Sequence, residues 1–114
     1  MQWAARNAGR LPGVELLFHI PNGGSRGKAE AGRFKAEGVK SGVPDLFLPV
    51  ARGCCHGLFI EMKRRRGGRL SVTQKLWLEA LEKQGYTVAV CRGWDEAAQE
   101  IAAYLGGTPW NTRA

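Results

Sequence analysis

The sequence has no apolar run long enough to cross a membrane. No stretch approaches the roughly 18 consecutive apolar residues that a transmembrane helix needs. The opening MQWAARNAGRL also lacks the apolar middle of a signal peptide. We therefore expect no membrane partner and a soluble protein of the cytoplasm.

Cysteine is also scarce. The three cysteines, Cys54, Cys55 and Cys91, are odd in number and follow no framework spacing, which predicts free thiols in a reducing compartment. The run Cys54-Cys55-His56 does not predict a zinc site, because adjacent cysteines cannot easily both bind one tetrahedral ion and no fourth ligand is evident. We interpret it as a turn.

Acidic residues are few compared with basic ones. Ten Asp and Glu face seventeen Lys and Arg, which leaves a net charge of +7 and a pI of about 9.8. A positive field of this size favours nucleic acid as the partner, because basic side chains neutralise phosphates and release counterions. The alternative is that the charge only keeps the protein soluble.

The length limits the chain to one domain. With 114 residues, 44% hydrophobic and 24% charged, the chain has the composition of a globular protein and is too apolar for a disordered one. A chain of this length has room for one compact core. We expect a single domain over residues 1–114, with a loose tail at 106–114.

The periodicity predicts alternating helices and strands. The expected elements are a helix at residues 2–8, a strand at 15–20, a helix at 28–37, strands at 45–50 and 58–64, a helix from 71 to about 85, a strand at 86–91 and a helix at 94–105. A turn at 53–57 should join the second and third strands into an antiparallel hairpin. The order α-β-α-β-β-α-β-α predicts an α/β fold in which helices flank a small mixed β-sheet.

Charged side chains interrupt two of the apolar strands. Asp45 opens GVPDLFLPV, and Glu61 and Lys63 lie within LFIEMK. Side chains alternate along a strand, so Glu61 and Lys63 share one face, and Asp45 is free to lie across the hairpin from Glu61. Burying an unpaired carboxylate in a core costs roughly several kcal/mol of folding free energy. We therefore expect another group to compensate for these charges.

Two interpretations of these charges remain open. Mg²⁺ takes oxygen ligands and is usually held by one or two carboxylates, and a nearby lysine then serves the attacking water or the transition-state charge. Alternatively, Asp45 caps a turn and Glu61 pairs with Lys63 on an exposed sheet face. Gln74 has the same two alternatives: it points inward at the first turn of its helix, or it closes a capping box with Ser71.

Pro44-Asp45 followed by Glu61-Met62-Lys63 resembles the PD-(D/E)xK nuclease superfamily. The segments HIPNGGSRG, EGVKSGVPDLFLP, GLFIEMKRRRGGRLSVTQ and GYTVAVCRGWDEA are similar to its VRR-NUC domain family, from about Phe18 to Leu105. The resemblance implies a restriction-endonuclease-like core. It also implies a metal-dependent endonuclease, and stand-alone members are similar to Holliday junction resolvases that act as homodimers on branched DNA.

The resemblance also implies roles for individual residues. Asp45, Glu61 and the carbonyl of Met62 would bind Mg²⁺, for which Mn²⁺ would substitute; Lys63 would support the water, and Gln74 matches a position near the site. Family members usually carry a glutamate in the first helix, ahead of a glutamine like Gln2, and the sequence begins after that position. Either the start has been trimmed or that ligand is missing, which leaves a basic DNA-binding module with a degenerate site as the alternative function.

Two segments are expected to contact DNA. The loop PNGGSRG offers glycine amides with Ser25 and Arg26, a set that can cradle a phosphate or form a plain turn. A basic run follows the strand that carries Lys63, and it consists of Arg64, Arg65, Arg66 and Arg69. Its position beside Lys63 favours binding to the phosphate backbone.

Overall fold

A computed structural model describes residues 2–21, 38 and 40–106 of the chain. Its helices are α1 (Gln2–Asn7), α2 (Val72–Lys83) and α3 (Trp94–Leu105), and a single 3₁₀ turn spans Val14–Leu16. Its strands are β1 (Phe18–His19), β2 (Leu46–Leu48), β3 (Leu58–Lys63) and β4 (Thr87–Arg92). The helix expected at 28–37 and the tail at 107–114 lie outside the described residues.

The four strands form one mixed sheet in the order β1-β2-β3-β4. β1, β2 and β3 pair antiparallel, which confirms the expected hairpin, and β4 pairs parallel with β3. Helix α2 makes the crossover between β3 and β4, because parallel neighbours need a long connection. The α/β architecture expected from the sequence is therefore confirmed, with a helix packed on each face of the sheet.

The main core lies between the sheet and two helices. Side chains of alternate residues in β2 and β3 point to one face, where they meet α1, the 3₁₀ turn and α3. The completely buried members of this core include Leu11, Leu48, Leu58, Ile60 and Ile101. Trp3 of α1 packs edge-to-face against Trp94 of α3, with ring centroids 5.4 Å apart. This packing covers one face of the sheet, and the opposite face carries the charged residues.

The first strand is shorter than the sequence predicts. Residues 15–20 were expected to form a strand, but the backbone makes a 3₁₀ turn at Val14–Leu16 and only Phe18 and His19 pair with β2. Gly13 turns the chain in the left-handed region at φ 101°, and its N–H donates to Glu15 Oε1 at 3.1 Å. The N–H groups of Leu16 and Leu17 donate to the carbonyls of Gly13 and Val14, so the 3₁₀ turn satisfies backbone groups that a strand would have paired.

The face opposite the core combines aromatic and charged side chains. Phe47 stacks on Phe59 with centroids 4.2 Å apart, and both rings contact Tyr86 edge-on. One step farther along the same face lie the acids that the sequence places in the strands. No helix in the described part of the chain has the length and apolar character that crossing a membrane requires.

Candidate active site

The strand pairing brings Asp45 and Glu61 together. Leu46 pairs with Ile60, so the residue before Leu46 lies beside the residue after Ile60 on the neighbouring strand. Asp45 Oδ2 accepts the backbone N–H of Met62 at 2.7 Å, and the Asp45 carbonyl accepts the N–H of Ile20. These two bonds fix the acid at the mouth of β2, on the face of the sheet that Glu61 shares.

Glu61 is a buried carboxylate with incomplete hydrogen bonding. The residue is 3% exposed. Its Oε2 accepts from Gln74 Nε2 at 3.2 Å and lies 3.5 Å from Lys63 Nζ. Its Oε1 is buried and has no hydrogen-bond partner among the described residues. A buried oxygen without a partner is costly, and it marks a position where a cation or a proton would lower the energy.

The pKa of Glu61 is raised from 4.5 to about 7. Burial is the largest cause, because it disfavours the charged form, and the nearby Asp45 carboxylate raises the pKa further by repulsion and by accepting a hydrogen bond from the protonated form of Glu61. Lys63 opposes both effects by stabilising the charge. Near neutral pH, a proton on Glu61 therefore competes with any cation for this site.

Gln74 connects the start of α2 to the acids. Its N–H donates to Ser71 Oγ at 3.1 Å and its Oε1 accepts the N–H of Ser71 at 2.9 Å, which completes a capping box. The same Oε1 accepts from Lys63 Nζ at 2.8 Å. Both interpretations of Gln74 from the sequence therefore hold at once. The Gln74 side chain caps the N-terminus of α2 and also holds Lys63 and Glu61 in place.

Gly42 makes room for the start of α2. It has φ 91°, and a Cβ added there would overlap the Thr73 side chain and lie 3.1 Å from its carbonyl carbon. We expect Gly42→Ala to lower the free energy of unfolding by about 1–3 kcal/mol, because both backbone strain and overlap oppose it. Urea unfolding followed by circular dichroism measures the change.

Gly38→Ala is the matched control for Gly42→Ala. Gly38 has φ 90°, but no atom of the described residues lies within 4 Å of its added Cβ, so this variant carries the backbone strain without that overlap. An equal loss of stability in the two variants would contradict the role given to Thr73.

The raised pKa of Glu61 predicts how stability changes with pH. Because the pKa is about 7 in the folded protein against 4.5 ordinarily, folding favours the protonated form. That contribution is complete below about pH 4.5 and is lost as the pH rises through about 7. Without divalent cations, wild type should lose on the order of 2 kcal/mol of unfolding free energy relative to Glu61→Gln over this range.

Urea titrations of both proteins at a series of pH values measure this difference. The variant serves as the reference because every other titrating group is common to the two chains. A difference that stays constant from acid to alkaline pH would show that Glu61 titrates normally.

The donor set at this site suits a hard divalent cation. Asp45 and Glu61 supply carboxylate oxygens, the ligands that Mg²⁺ prefers, and the unpartnered Glu61 Oε1 lies in a position to take a cation. Among the residues that the structure describes, no group of three or more His, Cys, Asp or Glu side chains converges. The described part of the chain therefore offers two carboxylates here, and water or phosphate would complete the coordination.

Two residues of the basic run beside the site contact β4 and α3. Arg65 pairs with Asp95 at 3.2 Å at the exposed start of α3. The carbonyl of Arg64 accepts from Arg92 Nη1 at 3.2 Å. Arg66 and Arg69 are exposed, whereas the predicted DNA contacts at Ser25 and Arg26 lie outside the described residues.

Arg92 belongs to this site, although the sequence analysis did not single it out. It pairs with Lys63 in the parallel register of β3 and β4, so the two side chains share a face. One signal in the sequence pointed to it, since Arg92 directly follows the strand predicted at 86–91. Neighbouring strands of a sheet are set by tertiary pairing, so the sequence alone did not place these two side chains together.

Comparison with known proteins identifies the type of domain. A family model for the VRR-NUC domain matches residues 11–95. A solved structure described as a VRR_NUC domain protein is 36% identical, superposes with a TM-score of 0.70, and the match covers 85% of this chain and 73% of that one. A comparison with curated protein sequences finds no match.

Proposed function

Because the chain belongs to the VRR-NUC domain family, whose members are nuclease-type domains, we propose that it is a Mg²⁺-dependent endonuclease that hydrolyses phosphodiester bonds in branched DNA. The observation that carries the proposal is the meeting of Asp45, Glu61 and Lys63 on one sheet face, with one carboxylate oxygen buried and unpartnered among the described residues. Mn²⁺ should replace Mg²⁺, since both accept oxygen ligands.

The carboxylates have the role of holding the metal. Asp45 and Glu61 would bind Mg²⁺, and the Met62 carbonyl is the further ligand that the resemblance implies. When bound, the ion supplies charge stabilisation for the phosphoryl oxygens and activation of a water. Binding would also remove the repulsion between the two acids that raises the pKa of Glu61.

Lys63 is placed to act on the reacting phosphate or on the water. Its Nζ has a fixed acceptor in Gln74 Oε1 at 2.8 Å and a second in Glu61 at 3.5 Å. An ammonium carries three donors, so one remains for an incoming oxygen. Gln74 acts as a positioning residue, because it contacts Lys63 and Glu61 and its backbone is anchored by Ser71.

DNA binding is assigned to the basic residues around this site. Arg66 and Arg69 are exposed next to Lys63, and the net charge of +7 supplies the long-range attraction. Arg64 and Arg65 add to the same surface, with Arg65 exchanging Asp95 for a phosphate. A homodimer would suit a four-way junction, because a two-fold axis places two identical sites on two symmetric strands.

The affinity for DNA should fall steeply with salt. We expect Arg66→Gln and Arg69→Gln each to reduce the slope of log affinity against log salt by about 0.9 if each contacts one phosphate. Fluorescence anisotropy of a labelled junction, measured with Ca²⁺ in place of Mg²⁺, gives the slopes. Unchanged slopes in both variants would remove these arginines from the interface.

Cleavage is the direct test of the proposed function. Purified protein is incubated with a labelled four-way junction or with linear duplex of the same sequence, with Mg²⁺ or with EDTA. Discrete products from the junction in Mg²⁺, and none in EDTA, are the expected result. Equal cutting of the linear duplex would contradict selectivity for branches.

The same assay distinguishes a second candidate, a DNA-binding module with a degenerate site. The observation in its favour is that two carboxylates, not three, meet among the described residues. Retention of the junction without any cleavage, in Mg²⁺ and in Mn²⁺, would support the binding module and overturn the endonuclease.

A further inference from the structure

One edge of strand β4 has no partner strand in the part of the chain that the structure describes. β4 is the last strand of the sheet among the described residues, and it pairs with β3 along its other side. The N–H of Thr87 donates to the Gly57 carbonyl and that of Gly93 to the Lys63 carbonyl. Backbone N–H and C=O groups alternate in direction along a strand. The N–H and C=O groups of the alternate residues therefore point away from β3, toward the edge; these residues are Val88, Val90 and Arg92.

One end of this edge is already blocked. Glu96 Oε1 of α3 accepts the outward N–H of Arg92 at 2.7 Å, so the side chain takes the place that a neighbouring strand would occupy there. The unpaired part of the edge is thereby limited to Val88 and Val90. Val90 is 38% exposed, and the strand has none of the lysines, prolines or bulges that normally protect a sheet edge.

A groove lies along the unpaired edge. It has a volume of about 500 Å³ and lies between β4 and α3, lined by Val90, Cys91, Glu96, Gln99, Glu100 and Ala103. Its charged side chains are both carboxylates, although the chain as a whole carries +7. Burial, and then Glu100 and Glu96, raise the pKa of the Cys91 thiol to about 11, which is consistent with a negative potential at the floor of the groove.

We propose that the β4 edge and the Glu96–Glu100 side of α3 bind an extended basic protein segment, which adds to the sheet as a fifth strand. The backbone of Val88 and Val90 supplies the hydrogen bonds, as in other complexes formed by strand addition. Side chains on one face of the added strand reach Glu96 and Glu100, and those on the other face lie near Val90. The segment therefore alternates basic residues with β-branched apolar ones.

The charge of the groove decides between possible occupants. DNA is disfavoured, because phosphates would face two carboxylates. A second copy paired antiparallel along the same edge is also disfavoured, since the two-fold axis would bring the Glu96 and Glu100 side chains of both chains to the same side of the joint sheet. A basic segment is complementary to the groove. The inference does not depend on the proposed nuclease function.

Peptide binding tests the proposal. The probe is a fluorescent peptide of about eight residues, alternating lysine and valine, and its matched control replaces each lysine with glutamate. We expect anisotropy to show the lysine peptide binding at low salt with a Kd below about 1 mM, and the glutamate peptide not to bind. Amide resonances of Val88 and Val90 should shift on titration more than that of Ala89.

Three substitutions distinguish the loss of edge binding from the loss of the fold. Val90→Pro removes an outward N–H that the sheet does not use, and proline is tolerated at edge strands in that orientation. It should leave the circular dichroism spectrum intact and weaken peptide binding at least about tenfold. Ala89→Pro removes an inward N–H and should disrupt the strand. Glu100→Lys should weaken binding several-fold without unfolding the protein, and it provides the test if Val90→Pro does not fold.

The remaining outcomes count against the proposal. Wild type that does not bind the lysine peptide at about 1 mM, or binds both peptides equally, overturns it. Undiminished binding by both Val90→Pro and Glu100→Lys does the same. If sedimentation shows that wild type dimerises and Val90→Pro does not, and the peptide fails to dissociate the dimer, the occupant is a second copy and the proposed basic partner is wrong.

Discussion

Asp45→Asn should reduce junction cleavage by at least about a thousandfold while leaving DNA affinity within about twofold of wild type. The asparagine oxygen can still accept the N–H of Met62, which Asp45 Oδ2 accepts at 2.7 Å, so the local backbone is preserved. What is lost is the negative charge that a divalent cation requires. Cleavage is measured under single-turnover conditions in Mg²⁺, and binding is measured by anisotropy in Ca²⁺.

The matched control for Asp45→Asn is Glu82→Gln, which removes one negative charge from an exposed position near the end of α2. It should cleave as wild type does. Isothermal titration with Mg²⁺ adds a second readout, since Asp45→Asn should abolish the binding heat and the control should retain it. Normal cleavage by Asp45→Asn would remove this residue from the catalytic centre, and with it the nuclease mechanism.

Lys63→Gln should lower the cleavage rate by about a hundredfold to ten-thousandfold. The variant loses the ammonium that lies 2.8 Å from Gln74 Oε1 and 3.5 Å from Glu61 Oε2. Because that ammonium lowers the pKa of Glu61, its removal should also raise the pKa of Glu61 and weaken metal binding near neutral pH. Part of the lost activity should therefore return at higher pH and higher Mg²⁺ concentration.

A pH profile of single-turnover cleavage checks this second effect. Lys83→Gln is the control, because this lysine lies in the last turn of α2, far along the helix from Gln74. The control should retain the wild-type rate and profile. A Lys63→Gln variant whose rate is reduced equally at all pH values would show that the lysine acts on the reaction and not on Glu61.

The predicted fold and the observed one agree where the pattern is local. Alternation along LFIEMK identified β3 and the face that Glu61 and Lys63 share, and Ser71 with Gln74 identified the start of α2. These signals depend on residues within one turn or one strand, so the chain carries them before it folds. The strand expected at 15–20 was partly wrong, because the N–H groups of Leu16 and Leu17 donate to carbonyls three residues earlier in a 3₁₀ turn, which a pattern of apolar residues does not reveal.

The alternation of side chains along the strand did not predict how deeply the site is buried. A period of two assigns Glu61 to a face of the sheet, but whether that face is solvated or covered depends on what packs on it. In the structure the carboxylate is buried, with Gln74 of α2 and Lys63 as its neighbours. The two alternatives left open for Glu61 were therefore a question of how α2 packs on the sheet, which the alternation within β3 does not determine.

By itself, the sequence determined the order of the elements, the face on which each strand residue lies, the positive charge and the family to which the chain belongs. The tertiary structure alone decided that Arg92 lies beside Lys63. For the residues that it describes, it also decided that Glu61 Oε1 is buried without a partner and that the outer edge of β4 is acidic and has no partner strand. The physical reason is that periodicity is a property of neighbouring residues. Burial, strand pairing and the potential of a groove are sums over residues that only folding brings together.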